Sequence, residues 1–139
     1  MNSEIVEQSF TRSIKALDHV FDFTNEFALS HTLNDKIRYV LDLAVEEFFT
    51  NMVKYNSRSS LDITLGIQKS GDSLRIRLTD YNVDRFDITQ VKEPQLDLSL
   101  RERKVGGLGL YLTKKVIDRI DYQYENRNSI VTLIKKLES

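Results

Sequence analysis

The sequence predicts an α/β (α+β) two-layer sandwich, a mostly antiparallel mixed sheet covered by three helices. Three observations predict it. Leu61, Ile63, Leu65 and Ile67 alternate with polar residues, Leu74, Ile76 and Leu78 do the same, and Gly71-Asp72 between them is a hairpin signal. A second such pair closes the chain, Asp121 to Glu125 and Ser129 to Leu137, joined by Asn126-Arg127-Asn128. In three other stretches apolar residues recur at helical spacing. Hairpins make neighbouring strands antiparallel, and amphipathic helices need a face to cover.

Taken in order, Ile5, Glu7 and Phe10 form a short half-alternating segment, the expected first strand. Ser13 can cap the next element, because its hydroxyl can accept from a first-turn N–H. Ile14, Leu17, Val20, Phe21, Phe23 and Phe27 then mark a helix that Ser30-His31-Thr32 closes. Thr32 or Asn34 opens a longer helix running from Asn34 to Tyr55. At about 100° per residue, Ile37, Val40, Ala44, Phe48 and Tyr55 share one face of it. Asn51 falls in the middle of that face, Glu47 on its edge, and Glu46 on the opposite side. A carboxylate and an amide turned toward a core are costly unless something binds them.

After the polar break Asn56-Ser57-Arg58-Ser59-Ser60 comes the first hairpin, and then the regularity fails from Asn82 to Val105. That charged segment holds the only proline, Pro94, and allows a helical turn around Leu96 to Leu100. Long irregular segments inside small domains are usually functional. Gly106-Gly107-Leu108-Gly109 follows and opens a third helix carrying Leu110, Leu112, Val116, Ile117 and Ile120.

The totals narrow the function. At 139 residues, 40% hydrophobic and 29% charged, the chain is one ordinary globular domain, 1–139, with one core. A net charge of −1 argues against broad nucleic-acid binding, which needs excess positive charge. No window approaches the roughly 20 apolar residues of a membrane span. The polar, acidic start Met1 to Gln8 lacks a signal-peptide core, and the expected compartment is the cytoplasm. Without cysteine there is neither a disulfide framework nor a thiolate site, and His19 and His31 stand in no metal-ligand spacing.

Three features carry chemistry, and each has a plain structural reading. Glu47 with Asn51 is as often a satisfied buried polar pair as a functional one. Asp80-Tyr81-Asn82 at a strand end reads first as a turn, although such an aspartate can also accept from the exocyclic amine of a base. Gly106-Gly107-Leu108-Gly109 reads first as a loop, although glycines at a helix start let backbone N–H groups approach phosphate. It is neither a P-loop nor a dinucleotide fingerprint, having no Gly-Lys-Ser/Thr and no parallel βαβ unit.

In this order and spacing the three together resemble the ATP site of the GHKL superfamily, of gyrase, heat-shock chaperone, histidine-kinase and MutL type, with its Bergerat-type fold. Glu47-x-x-x-Asn51 resembles the N box, Asp80-x-Asn82 the first glycine box and Gly106-Gly107-x-Gly109 the second. The resemblance runs from about Ser13 to Lys136. The chain has no room for a transducer domain or a phospho-acceptor helical domain. It is most similar to the standalone anti-sigma-factor serine/threonine kinases, above all at Val45-Glu46-Glu47-Phe48-Phe49-Thr50-Asn51.

The resemblance implies a role for each residue. Asn51 would bind Mg²⁺, whose preferred shell is octahedral and all oxygen. Glu47 would be the general base that accepts the proton of the attacking hydroxyl. Asp80 would take the adenine amino group, and Gly106, Gly107 and Gly109 would wrap the phosphates. Val83 to Val105 would be the ATP lid. By position, Arg103 or Lys104 would neutralise terminal phosphate and Thr132 would support the adenine. The family pattern has glycine where this chain has Asn82, and often a second where it has Asp84. Asparagine and aspartate are the residues that best tolerate the positive φ glycine permits there.

The implied function is an ATP- and Mg²⁺-dependent serine/threonine kinase. It would phosphorylate a STAS-domain anti-anti-sigma factor and sequester a sigma factor, as a homodimer of the kind common in the family. The alternative, which Asn82 favours, is a nucleotide-binding partner-switch module with little or no kinase activity. A third reading, a catalytic fragment of a histidine kinase, is disfavoured by the start at Met1 and the full first strand. Phe10, Phe21, Phe23 and Phe27 are expected in the core rather than at an interface.

Overall fold

A computed structural model describes residues 4–55, 59–85 and 107–137. The elements are β1 (Val6–Phe10), a 3₁₀ turn (Ile14–Ala16), α1 (Leu17–Ser30), α2 (Asp35–Tyr55), β2 (Ile63–Ser70), β3 (Ser73–Asp80), α3 (Gly107–Val116), β4 (Arg119–Glu125) and β5 (Asn128–Lys136). The strands form one sheet in the order β1-β2-β3-β5-β4. Every pairing among the described residues is antiparallel, so the sheet is not mixed.

Local chemistry sets the boundaries. The Ser13 hydroxyl accepts from the Lys15 N–H at 3.1 Å and so caps the 3₁₀ turn that leads into α1. Asn34 Oδ1 accepts from the Ile37 N–H at 2.9 Å and caps α2. Ser70 pairs with Ser73 across Gly71-Asp72, where Gly71 has φ +60°, as two-residue hairpins favour at the first central position. In the second hairpin Asn126 and Arg127 both have positive φ, 52° and 63°, which matches the right-handed twist of the flanking strands. The third helix is shorter than expected. It ends at Val116, Ile120 belongs to β4, and Leu112 is exposed.

Strand alternation buries one face of the sheet. Phe10, Ile63, Leu65, Ile67, Leu74, Ile76, Leu78, Val131 and Leu133 pack beneath the helices, meeting Val20, Phe23 and Phe27 of α1 and Leu41, Val45, Phe48 and Phe49 of α2. Phe10 sits edge-to-face on Phe23 and on Phe49, with centroids 5.8 and 6.5 Å apart, and so ties β1 to both helices. Each such pair contributes about 0.5–1.5 kcal/mol beyond area burial. Phe10, Phe23 and Phe27 are thus core, and Phe21 is half-buried. The apolar face of α2 is wider than the sequence wheel drew it, adding Leu41, Val45, Phe49 and Met52. No helix among the described residues is long and apolar enough to cross a membrane.

Candidate active site

The site begins on α2. Asn51 is 2% exposed, in the middle of the core-facing surface. Its Nδ2 donates to the Glu47 carbonyl oxygen at 2.5 Å, and the Thr50 hydroxyl donates to the same oxygen at 3.3 Å. Only the nitrogen end of an amide can donate to a carbonyl, so this contact fixes the flip of Asn51 and presents Oδ1 away from its own helix. One turn earlier, Glu47 is half-buried and its Oε2 lacks a hydrogen-bond partner among the described residues. Burial raises the pKa of Glu47, and the neighbouring charge of Glu46 raises it further. Glu46 is itself half-buried. The amide oxygen of Asn51 is a hard donor of the kind Mg²⁺ prefers.

Asp80 ends β3 on the inner face with 0% exposure. It forms an ion pair with Arg12, from the connection between β1 and α1, whose side chain is 6% exposed. Arg12 also donates through Nη1 to the Met52 carbonyl and through Nε to the Leu61 carbonyl, both at 3.2 Å. One guanidinium therefore joins Asp80 to the residue next to Asn51. Across the β3–β5 ladder Asp80 is in register with Ser129. Ser129 is 4% exposed, and its Oγ has no hydrogen-bond partner among the described residues.

The turn after Asp80 takes the shape the sequence suggested at one of two positions. Asn82 has φ +55°, the left-handed conformation otherwise given to glycine, whereas Asp84 does not. The Asn82 amide oxygen accepts from Arg127 Nε at 3.1 Å. The Val83 N–H donates to the Arg127 carbonyl at 2.9 Å, and the Tyr124 hydroxyl donates to the Val83 carbonyl at 2.7 Å. The Ser59 hydroxyl donates to the Tyr81 carbonyl at 2.8 Å. The start of the expected lid is thus tied to the second hairpin.

Gly107 opens α3 and Gly109 lies in its first turn, and α3 packs on α2. Gly106, Arg103, Lys104, the turn expected at 96–100 and the remainder of the expected lid lie outside the described residues. Thr132 is a correction. Val131 and Leu133 face the core, so Thr132 between them faces the opposite side of the sheet, beside Arg75, Arg119 and Asp121. It lies on the face of the sheet opposite to Asp80. Ser129, three residues earlier, lies on the inner face in register with Asp80. Sequence reasoning missed Ser129 and Arg12. The alternation of β5 held the signal for Ser129, whereas nothing distinguished Arg12 from a solvated loop charge.

This constellation can be set beside known proteins. A family model described as the histidine kinase-like ATPase domain matches residues 10–135. The chain belongs to that family. The serine-protein kinase RsbW of Listeria innocua is 30% identical over 97 residues, covering 66% of this chain and 61% of that protein. The solved structure of the RsbU and RsbW domains of Rv1364c from Mycobacterium tuberculosis matches 97% of this chain with a TM-score of 0.69 at 14% identity. This chain spans 33% of that one, and the likeness concerns the fold. The histidine kinase-like ATPase family implies ATP as the nucleotide.

Proposed function

We propose that this histidine kinase-like domain binds Mg-ATP and phosphorylates a serine or threonine on a STAS-domain anti-anti-sigma factor. In the unphosphorylated state that antagonist competes for the kinase and frees a sigma factor. Once phosphorylated it leaves, and the kinase sequesters the sigma factor, acting as a homodimer in the cytoplasm. The observation that carries this reading is the pairing on α2 of a fixed amide with a carboxylate whose buried oxygen has no partner. The name of the Listeria relative, a serine-protein kinase, supports it.

Phosphoryl transfer needs positioning and charge neutralisation more than covalent help from the protein. Glu47 accepts the proton of the attacking hydroxyl. The hydroxyl oxygen bonds to the γ-phosphorus, the bond to the β–γ bridging oxygen breaks, and ADP leaves with the electron pair. The raised pKa of Glu47 makes it a better proton acceptor than an ordinary surface carboxylate. Asn51 would hold Mg²⁺, whose contribution when bound is to neutralise phosphate charge. Asp80 accepts from the adenine amine, with Ser129 beside it, and the backbone of Gly106, Gly107 and Gly109 receives the phosphates. Arg103 or Lys104 meets the terminal phosphate. Asn82 already adopts the backbone angle of the glycine it replaces, which supports nucleotide binding under either reading.

The test is phosphotransfer from Mg-ATP to a STAS-domain antagonist by wild type and by Glu47→Gln. The variant is expected to bind nucleotide and transfer nothing. Transfer at the wild-type rate by Glu47→Gln removes the base assignment, and absence of ATP binding by wild type at millimolar nucleotide removes the enzyme.

A further inference from the structure

Among the described residues four that are not glycine have positive φ, and three of them, Asn82, Asn126 and Arg127, gather at one junction. Asn126-Arg127 is the two-residue turn between Glu125 and Asn128, a place where Asn-Gly is the strongly preferred pair. An arginine there is strained, and such strain persists where the surroundings hold it and often marks function. What arginine adds over glycine is reach. Its Nε donates to the Asn82 amide oxygen at 3.1 Å, and Nη1 and Nη2 both donate to Asp84 Oδ1 at 3.4 Å. Two left-handed residues, one on each side of the junction, are thus joined through their side chains.

The β3–β5 ladder ends at the pair Asp80 and Ser129, so the backbone beyond Asp80 has no strand to hold it. The second hairpin holds it instead. The Arg127 carbonyl accepts from the Val83 N–H, the Tyr124 hydroxyl donates to the Val83 carbonyl, and Val83 is 3% exposed. Asn82 is the left-handed residue where the chain turns away from Asp80. A glycine would adopt that angle without steric cost, whereas asparagine adopts it at some cost but offers an amide oxygen by which it can be held. We propose that Arg127 is a positioning residue for the nucleotide: acting through Asn82, it holds the turn behind Asp80 in the shape that binds ATP. The inference rests on the nucleotide-binding part of the proposed function. A site whose competent shape is only partly populated binds with its affinity reduced by that fraction, so releasing Asn82 should weaken binding although Arg127 touches no nucleotide atom.

The experiment is calorimetric titration with Mg-ATP of Arg127→Gly against its parent, once with Asn82 intact and once in the Asn82→Gly background, with circular dichroism to check the fold. Arg127→Gly supplies the residue the hairpin turn prefers and removes only the reach, so the fold should survive. With Asn82 intact it should weaken ATP about fivefold, the factor to which one net hydrogen bond converts. In the Asn82→Gly background no amide oxygen is left to hold, and the same change should cost less than about threefold. If Arg127→Gly does not fold, Arg127→Asn decides by the same thresholds, because asparagine also tolerates a positive φ and is too short to reach Asn82. A loss under about threefold with Asn82 intact, or a loss above it in the Asn82→Gly background, overturns the inference while the nucleotide site stands. Failure of wild type to bind ATP overturns the proposed function and this inference with it.

Discussion

Replacing Ser129 with alanine should change stability and affinity in opposite directions. The Ser129 hydroxyl is buried, lacks a partner, and lies in register with Asp80. Burying an unsatisfied hydroxyl costs about 1–3 kcal/mol. Alanine removes that cost and loses some dispersion contact around one missing oxygen, so the ligand-free protein should gain about 1 kcal/mol. For a domain of this size that is roughly 3–5 °C in melting temperature. If the hydroxyl's true partner is the nucleotide, the same substitution deletes one neutral hydrogen bond from the complex. That is about 0.5–1.5 kcal/mol, or about 2- to 12-fold in Kd. Ligand linkage sharpens the contrast. At ATP about 100 times the wild-type Kd, wild type gains about 2.7 kcal/mol, and a variant binding about fivefold more weakly gains about 1.8. The advantage of the free variant should then vanish in ATP. Differential scanning calorimetry with and without Mg-ATP reads both effects. A Ser129→Ala protein that melts lower when free, or that gains as much from ATP as wild type, would refute the reasoning.

Three other substitutions probe the pocket and its surroundings. Asn82→Ala should cost about 1 kcal/mol, because alanine tolerates a φ of +55° less well than asparagine, whereas Asn82→Gly should lie within about 0.5 kcal/mol of wild type once the lost Arg127 contact is counted; urea denaturation distinguishes the two. Thr132→Val, on the outer face, should leave the Kd for ATP unchanged within about twofold, near the scatter of surface substitutions; a tenfold loss on titration would return Thr132 to the pocket. Glu47→Gln should change how stability depends on pH. Because the folded pKa of Glu47 is raised, its contribution is fully present below the ordinary glutamate range and is lost as pH rises through the folded value. Denaturation midpoints of the two proteins should therefore diverge upward in pH, in favour of glutamine, and parallel curves would show that the burial carries no energetic weight.

The strands, the hairpins and α2 were legible because each is set by local periodicity and local turn chemistry. Asn34 caps α2 and Gly71 turns β2 into β3 for reasons visible within four residues of each. Glu47 and Asn51 were legible for the same reason: one helical turn separates them, and the wheel fixes their faces. The inner-face place beside Asp80 was not, because it depends on which residue of β5 lies opposite, and that register is set by the packing of two strands nearly fifty residues apart. Alternation narrows the choice to Ser129, Val131, Leu133 and Lys135, and of the two polar ones only Ser129 lies opposite Asp80. Position alone had picked Thr132, on the wrong face. Arg12 was illegible for a stricter reason. Its three acceptors are two backbone carbonyls and one side chain from distant segments, and backbone acceptors leave no trace in a sequence.

The fold treats the carboxyl groups of Asp80 and Glu47 in opposite ways, and the difference suits the roles proposed for them. Asp80 is wholly enclosed, with an arginine charge set against it and a guanidinium braced at three points. Glu47 is only half-buried, has an unpartnered oxygen, and feels the negative charge of Glu46 where Asp80 has the positive charge of Arg12. A group that must accept the same hydrogen bond in every cycle is best kept charged and immobile. A group that must take up a proton and release it is best left where its charge is poorly compensated, because that is where protonation costs least. Arg12 and Glu46 thus give the two carboxyl groups opposite surroundings, although neither residue lies in the glycine-rich turn that first marks the family.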